Sequence, residues 1–220
     1  PEGEYKLSYR EGERGVYTFC MCPGGYVVPS SSEEETVVTN GMGEFSRDAE
    51  NLNAAVVVSV APDEFGKYAL DGVDLGRNIE EAAFVLGGKN YRAPAVSVGN
   101  FLDKKVGIDN LSVNPSYAIG IEKADFDKLF PSFITDIMRK GLMKFGNKMQ
   151  CFKDRNALLT APETRTSSPV RILRNEERTS VSLSNLYPTG EGAGYAGGIM
   201  SASVDGIKTA ITIMKIYSEE

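Results

Sequence analysis

Residues 186–217 read LYPTGEGAGYAGGIMSASVDGIKTAITIMKIY. A short apolar run reaches Gly190 and a glycine-rich turn follows. The spacing of Ile199, Ala202, Ile207, Ala210, Ile211 and Met214 then predicts a helix with one buried side. The expected unit is a strand, a loop and a closing helix. Gly190, Gly192, Gly194, Gly197 and Gly198 leave backbone N–H groups unshielded, and the helix adds partial positive charge at its N-terminus. Such a loop suits a phosphate or an electron-rich ring edge; the alternative is a loop that only packs helix against sheet. Gly192, Gly194 and Gly197 satisfy G-x-G-x-x-G. A first dinucleotide-binding unit, however, needs a second strand ending in an acidic residue about 20 positions farther on. The sequence reaches Glu220 before that, and no Gly-Lys-Ser/Thr follows the loop to make it a P-loop. The expectation is a terminal piece that completes a ligand site begun elsewhere in a longer protein.

Upstream of this tail the periodicity changes. From Tyr5 to Val60, short β-favouring runs (YKLSY, GVYTFCMC, GYVVPS, TVVTNG and AAVVVSV) predict antiparallel strands. Glu33, Glu34 and Glu35 mark a solvated hairpin tip. Pro23, Gly24 and Gly25 interrupt the pattern after Cys22, either as a tight turn between strands or as a functional loop. Residues 40–55, NGMGEFSRDAENLNAA, read as a loop in which Arg47 and Asp48 pair with each other or face a ligand. Leu75, Ile79, Ala82, Ala83 and Leu86 give an amphipathic helix that should cover the sheet and stop at Gly87 and Gly88. Phe130, Phe133, Ile134, Ile137, Met138, Leu142 and Phe145 give a second helix, with Pro131 suited to its start and Gly141 a weak point inside it.

Composition narrows the chemistry. Among 220 residues, 24 Lys and Arg face 30 Asp and Glu, a net charge of −6, so nucleic acid is not an expected partner. The absence of His removes Ser-His and Cys-His nucleophile pairs, imidazole proton shuttling and His-based metal sites, and no metal is expected. Cys20, Cys22 and Cys151 form no C-x-x-C pair, which fits a reducing compartment. On a regular strand Cys20 and Cys22 share a face, and both are expected to be packing residues. With no signal peptide and no apolar run of about 20 residues, the expectation is a soluble cytoplasmic protein away from membranes. Pro1 in place of Met fits a processed chain or one cut from a longer protein.

Four blocks in order, TFCMCPGGYVV, TNGMGEFSRDAENLNAA, APETRTSSPVRI and LYPTGEGAGYAGGIMSASVDGI, resemble the carboxy-terminal portion of the uncharacterised FAD-dependent dehydrogenases of bacteria. The resemblance spans nearly the whole chain. It implies an amino-terminal Rossmann segment, a β-rich insert with helices, and a return of the chain to finish the flavin domain. Residues 1–165 correspond to the insert or substrate-side region and 166–220 to the C-terminal part of the FAD-binding domain. By the same resemblance, Gly190 and Glu191 lie near the ribityl and pyrophosphate, where a carboxylate accepts hydroxyl hydrogen bonds. Gly192, Ala193, Gly194, Gly197, Gly198, Ile199 and Met200 approach the pyrimidine side of the flavin, where the helix terminus stabilises negative charge. Arg165, Thr166, Ser167 and Ser168 are substrate-side candidates; Arg165 orients an anionic substrate or contacts the cofactor, or else pairs on the surface. No catalytic base is identified.

The fold class expected is α+β, an antiparallel β-rich region with helices followed by the closing strand, loop and helix of a Rossmann-like domain whose N-terminal half is absent. The expected function is that of a piece of an FAD-dependent oxidoreductase acting on a small molecule, unable to hold FAD alone because half the cofactor contacts are missing. The rival is a non-catalytic binding or assembly module that self-associates through exposed sheet edges or apolar surface. A hydrolase is the weakest reading, since no histidine can activate Ser167 or Ser168.

Overall fold

A computed structural model describes residues 7–218. The β-favouring runs of the first sixty residues become β1 (Ser8–Glu11), β2 (Arg14–Pro29), β3 (Thr39–Met42) and β4 (Asn51–Val58), a four-stranded antiparallel sheet. β2 is its spine. Its first half pairs with β1 on one side and β4 on the other, with Tyr17 opposite Ser8 and Val57, and its last residues pair with β3, with Val28 opposite Asn40.

Two expectations fail along this spine. Pro23, Gly24 and Gly25 do not turn the chain, because β2 runs straight through them as one 16-residue strand. The interruption is absorbed by register shifts between Phe19 and Cys22 and between Cys22 and Gly25, each inserting one extra β2 residue against β4. The two glycines are needed for close approach: a Cβ on Gly24 would overlap the Arg47 carbonyl and one on Gly25 the Met42 carbonyl. Residues 40–55 are likewise not one loop. Asn40, Gly41 and Met42 belong to β3 and Asn51 onward to β4, leaving only 43–50 irregular. Local polarity suggested a loop there, and cross-strand pairing overrides it. The Glu33–Glu35 segment does connect β2 to β3, with Glu33 paired to Arg77 at 3.0 Å.

After α1 (Pro62–Phe65) and α2 (Asp71–Leu86), the strand β5 (Ala93–Ser97) runs straight into α3 (Val98–Leu102). Then follow β6 (Ile121–Lys123), α4 (Phe126–Leu129), α5 (Ser132–Lys148) and β7 (Leu158–Thr160). β5 is buried at every position and lies between β6, parallel to it, and β7, antiparallel. α2 ends at its two glycines as expected, with Gly88 at φ +91°, and it meets the β2–β3 connection, where Val37 N–H donates to Glu80 O at 3.1 Å. The helix on the four-stranded sheet is α5. Its stripe Ile134, Ile137, Met138, Leu142 and Phe145 is buried, and Leu7, Val16, Ile137 and Phe145 form one core cluster. Each such side chain contributes about 1.5–3 kcal/mol by leaving water. Gly141 is the contact point: a Cβ there would overlap the Val16 side chain, so the residue that weakens the helix lets it approach the strand.

The chain forms two compact units. One comprises residues up to Phe65 with Gly76–Thr164, the other Gly66–Leu75 with the residues from Arg165 onward. Sheets and helices together make the fold α+β. In the second unit the regular element beyond residue 165 is α6 (Ile199–Tyr217), apart from an isolated bridge between Arg174 and Ser180. The strand expected before Gly190 does not form. Backbone groups there are used locally instead, Ser180 N–H on Leu186 O at 2.7 Å and Arg174 on Pro188 O at 2.7 Å. The buried side expected of α6 is also corrected. Ile199, Met200, Ile207, Ile211 and Met214 are exposed, Ile199 at 84%, whereas Asp205 and Thr209 are the buried positions. No helix among the described residues is long and apolar enough to cross a membrane.

Candidate functional site

Asp205 organises the second unit. On α6 it faces inward with 8% exposure and receives Arg174 through two bonds of 2.9 and 2.8 Å, Arg178 at 2.7 Å and the Gly190 amide at 2.9 Å. Four donors on one buried carboxylate, led by Arg174, hold its pKa far below the usual carboxylate range. The network reaches one turn along the helix, where Arg178 donates to Thr209 Oγ1 at 3.2 Å and Thr189 Oγ1 bonds the same hydroxyl at 3.1 Å. Arg174 also lies over the Tyr195 ring, 3.6 Å from its centroid, and its amide donates to the Tyr195 hydroxyl at 3.1 Å.

This scaffold sets the glycine loop. Gly190 and Gly194 adopt φ of +77° and +82°, values that favour glycine, and a Cβ on Gly194 would overlap the Val170 carbonyl. Residues 171 and 172 run beside the loop, with Ile172 N–H on Ala193 O at 3.2 Å and Arg171 Nε on Gly194 O at 3.0 Å. The loop thereby divides in two. Its first half is turned inward: Gly190 N–H donates to Asp205, Gly194 N–H to Glu191 O at 2.9 Å and Tyr195 N–H to Gly190 O at 3.0 Å. In its second half, the amides of Gly197, Gly198, Ile199 and Met200 donate to no protein acceptor among the described residues. They sit at the positive end of the 19-residue α6. Gly192 is exposed with open space where a Cβ would be, and Glu191 is half-buried. Tyr195, Met200, Ser201, Val204, Asp205 and Lys208 line a shallow depression of about 350 Å³ next to this half.

The substrate-side candidates are only partly gathered here. Ser167 Oγ would lie 3.9 Å from a Cβ on Gly197. Ser168 turns back on its own backbone, donating to Val170 O at 2.9 Å, Thr166 is half-buried and Arg165 is exposed. The hub residues Asp205, Arg174, Arg178 and Tyr195 were not anticipated from sequence. One signal was available: Asp205 and Thr209, four apart, interrupt an otherwise apolar helix, which suggests a polar inner stripe. In the first unit, burial pushes the Glu163 carboxyl from an ordinary 4.5 up to about 7. The backbone before it is pinned by Thr39, whose N–H and hydroxyl both donate to Pro162 O at 2.8 and 3.0 Å. No sequence pattern marks that residue.

The cysteine pair also departs from expectation. Cys22 is half-buried, but Cys20 is exposed and adopts φ +49°, because the β2 register shift breaks the two-residue alternation that would place both on one face.

A family model described as "FAD-dependent protein, C-terminal domain-like" matches residues 1–166. An uncharacterized protein from Clostridium beijerinckii is 45% identical over 217 residues, which cover 97% of this chain and 41% of that protein. The chain thus spans about two fifths of the length of the curated relative it matches. The family match covers the whole β-rich region and its helices up to the start of the tail, and on that extent the chain belongs to the FAD-dependent protein family as its C-terminal domain-like portion.

Proposed function

We propose that the chain is the carboxy-terminal portion of an FAD-dependent oxidoreductase, a cytoplasmic dehydrogenase acting on a small molecule. In this reading residues 166–220 complete the flavin-binding domain of the intact protein and 1–165 form the substrate-side region. The observation that supports it most directly is the outward half of the glycine loop. There the amides of Gly197 to Met200 lie at the N-terminus of α6, with no side chain on the two glycines and the exposed side chains of Ile199 and Met200 beside them. That donor set fits one electron-rich edge of a flavin. Bound FAD supplies hydride acceptance, and the chain's residues supply position and polarity. Gly197, Gly198, Ile199 and Met200 hold negative charge at the ring edge, Glu191 accepts hydroxyl hydrogen bonds, and Arg165 with Thr166, Ser167 and Ser168 orients an anionic substrate. Gly190, Ala193 and Gly194 act indirectly, by keeping the loop shaped through Asp205.

The exposed apolar face of α6 fits the same reading: in the longer protein it is covered by chain that completes the flavin domain, and in this chain it promotes self-association. Flavin titration followed by fluorescence quenching tests the proposal. Stoichiometric binding is expected for the full-length protein and not for the 220-residue chain, and Gly197→Val with Gly198→Val in the full-length protein should weaken binding at least tenfold. A full-length protein that binds no flavin would overturn it. An assembly role is favoured instead if the chain forms defined oligomers through α6 and those persist in the longer protein.

A further inference from the structure

We infer that the first unit carries a binding site for an alkyl guanidinium, the cationic group of an arginine side chain. The site is a cavity of about 400 Å³ with Pro29, Glu33, Glu34, Tyr91, Tyr117 and Ile119 among its walls. That volume lies within the range of small-molecule sites. Three separate stretches meet there: the end of β2 with the connection that follows it, the turn between α2 and β5, and the loop ahead of β6. The walls are fixed from behind. Ser31 Oγ accepts from Val38 N–H at 2.9 Å, the Thr36 hydroxyl donates to Glu33 O at 2.8 Å, and the hydroxyl of the buried Tyr117 donates to Tyr91 O at 3.4 Å.

Tyr91 decides the class of guest. It is a bulky residue at φ +64°, in the left-handed region that such side chains rarely adopt, and strain of this kind concentrates at ligand clamps. Its ring packs on Phe84, 4.9 Å between centroids, and its hydroxyl accepts the Glu35 N–H at 3.3 Å, yet the residue stays 39% exposed as it lines the cavity. An aromatic face held in this way attracts a cation. The charge around it has the matching sign, since the lining contains two carboxylates and no Lys or Arg. Glu33 pairs with Arg77 at 3.0 Å, whereas Glu34 is exposed and pairs with no cation among the described residues. A planar guanidinium stacks on a ring and offers a fork of donors to one carboxylate, which a compact, strongly hydrated ammonium does not. Pro29 and Ile119 supply apolar surface for the alkyl stem. The inference does not rest on the flavin reading, since no residue of the glycine loop takes part.

Titrating the isotope-labelled 220-residue chain with N-acetyl-arginine amide, followed by amide chemical shifts, tests it. The expected result is a saturable shift at Glu34, Glu35 and Tyr91 with a Kd on the order of 1 mM, as befits one partly exposed ion pair beside a ring. The uncharged isostere N-acetyl-citrulline amide should bind at least about tenfold more weakly, and the corresponding lysine amide about threefold more weakly. Free L-arginine separates the two sources of the group: tighter binding than the capped form assigns the site to the free amino acid, weaker binding to an arginine within a peptide. Glu34→Gln, at an exposed position, should weaken binding about tenfold and leave the rest of the spectrum in place. Tyr91→Phe keeps the ring and should bind as the wild type does, and Tyr91→Leu should not. No saturable shift up to about 20 mM ligand, equal binding of the citrulline or lysine form, or unchanged affinity in Glu34→Gln would overturn the inference. The citrulline comparison on the unaltered chain stands even if a Tyr91 variant fails to fold.

Discussion

α5 and α6 are helices of similar length, 17 and 19 residues, and both have apolar residues recurring at helical spacing. In α5 that stripe is the core: Ile134, Ile137, Met138, Leu142 and Phe145 are buried and the helix touches the sheet at Gly141. In α6 the stripe is exposed and the inward face is polar, built on Asp205 and Thr209. Periodicity in a sequence states which face needs cover. It does not state whether the residues at hand provide that cover. α5 finds its partner in β1, β2 and β4, and α6 is held by a charged network that fixes its place without using its apolar side.

The largest expected effects separate the two modes of anchoring. Phe145→Ala should cost about 3–5 kcal/mol in denaturant unfolding, as the cavity adds to the lost transfer term. Ile207→Ala on α6 should change stability by no more than about 0.5 kcal/mol, the range for surface positions. Equal losses would show that the α6 face is buried after all. Asp205→Asn leaves two arginines around a weakened acceptor and should cost about 3 kcal/mol, read as faster hydrogen exchange across α6 and the glycine loop while α5 keeps its protection.

Acid provides the same contrast without mutation. The depressed Asp205 pKa contributes stability that is full above the ordinary carboxylate range and is lost as pH falls through its folded-state value, so α6 should lose protection below about pH 4. Glu163 runs the other way. Between 4.5 and about 7 its folded form holds a proton that the unfolded form has released, so stability falls as pH rises through that window. Glu163→Gln should flatten that slope and leave the chain about 1–3 kcal/mol more stable at pH 8, measured by denaturant midpoint against pH. The smallest effect concerns solubility. Ile207→Glu with Met214→Glu should suppress concentration-dependent association in sedimentation velocity while moving stability by less than about 0.5 kcal/mol.

The same comparison explains what the sequence made legible. α5, the end of α2 at Gly87 and Gly88, and the strands around Val16 and Val57 follow from periodicity and stop signals, because their partners lie in the chain. β2 was legible as strand and illegible as one strand. Its passage through Pro23, Gly24 and Gly25 depends on how closely the Met42 and Arg47 carbonyls approach, a tertiary fact with no local trace. At the glycine loop the residue types pointed to exposed amides, which holds for Gly197 to Met200, but nothing local announced that Asp205 would claim Gly190. Arg174 and Arg178 sit in a polar run that reads as surface, and only the fold turns them toward a buried carboxylate.

The double register shift in β2 makes a single segment answerable to two ladders, β4 ahead of it and β3 behind. A side chain placed on Gly24 or Gly25, where the Arg47 and Met42 carbonyls come close, would therefore disturb both neighbouring strands and not one alone.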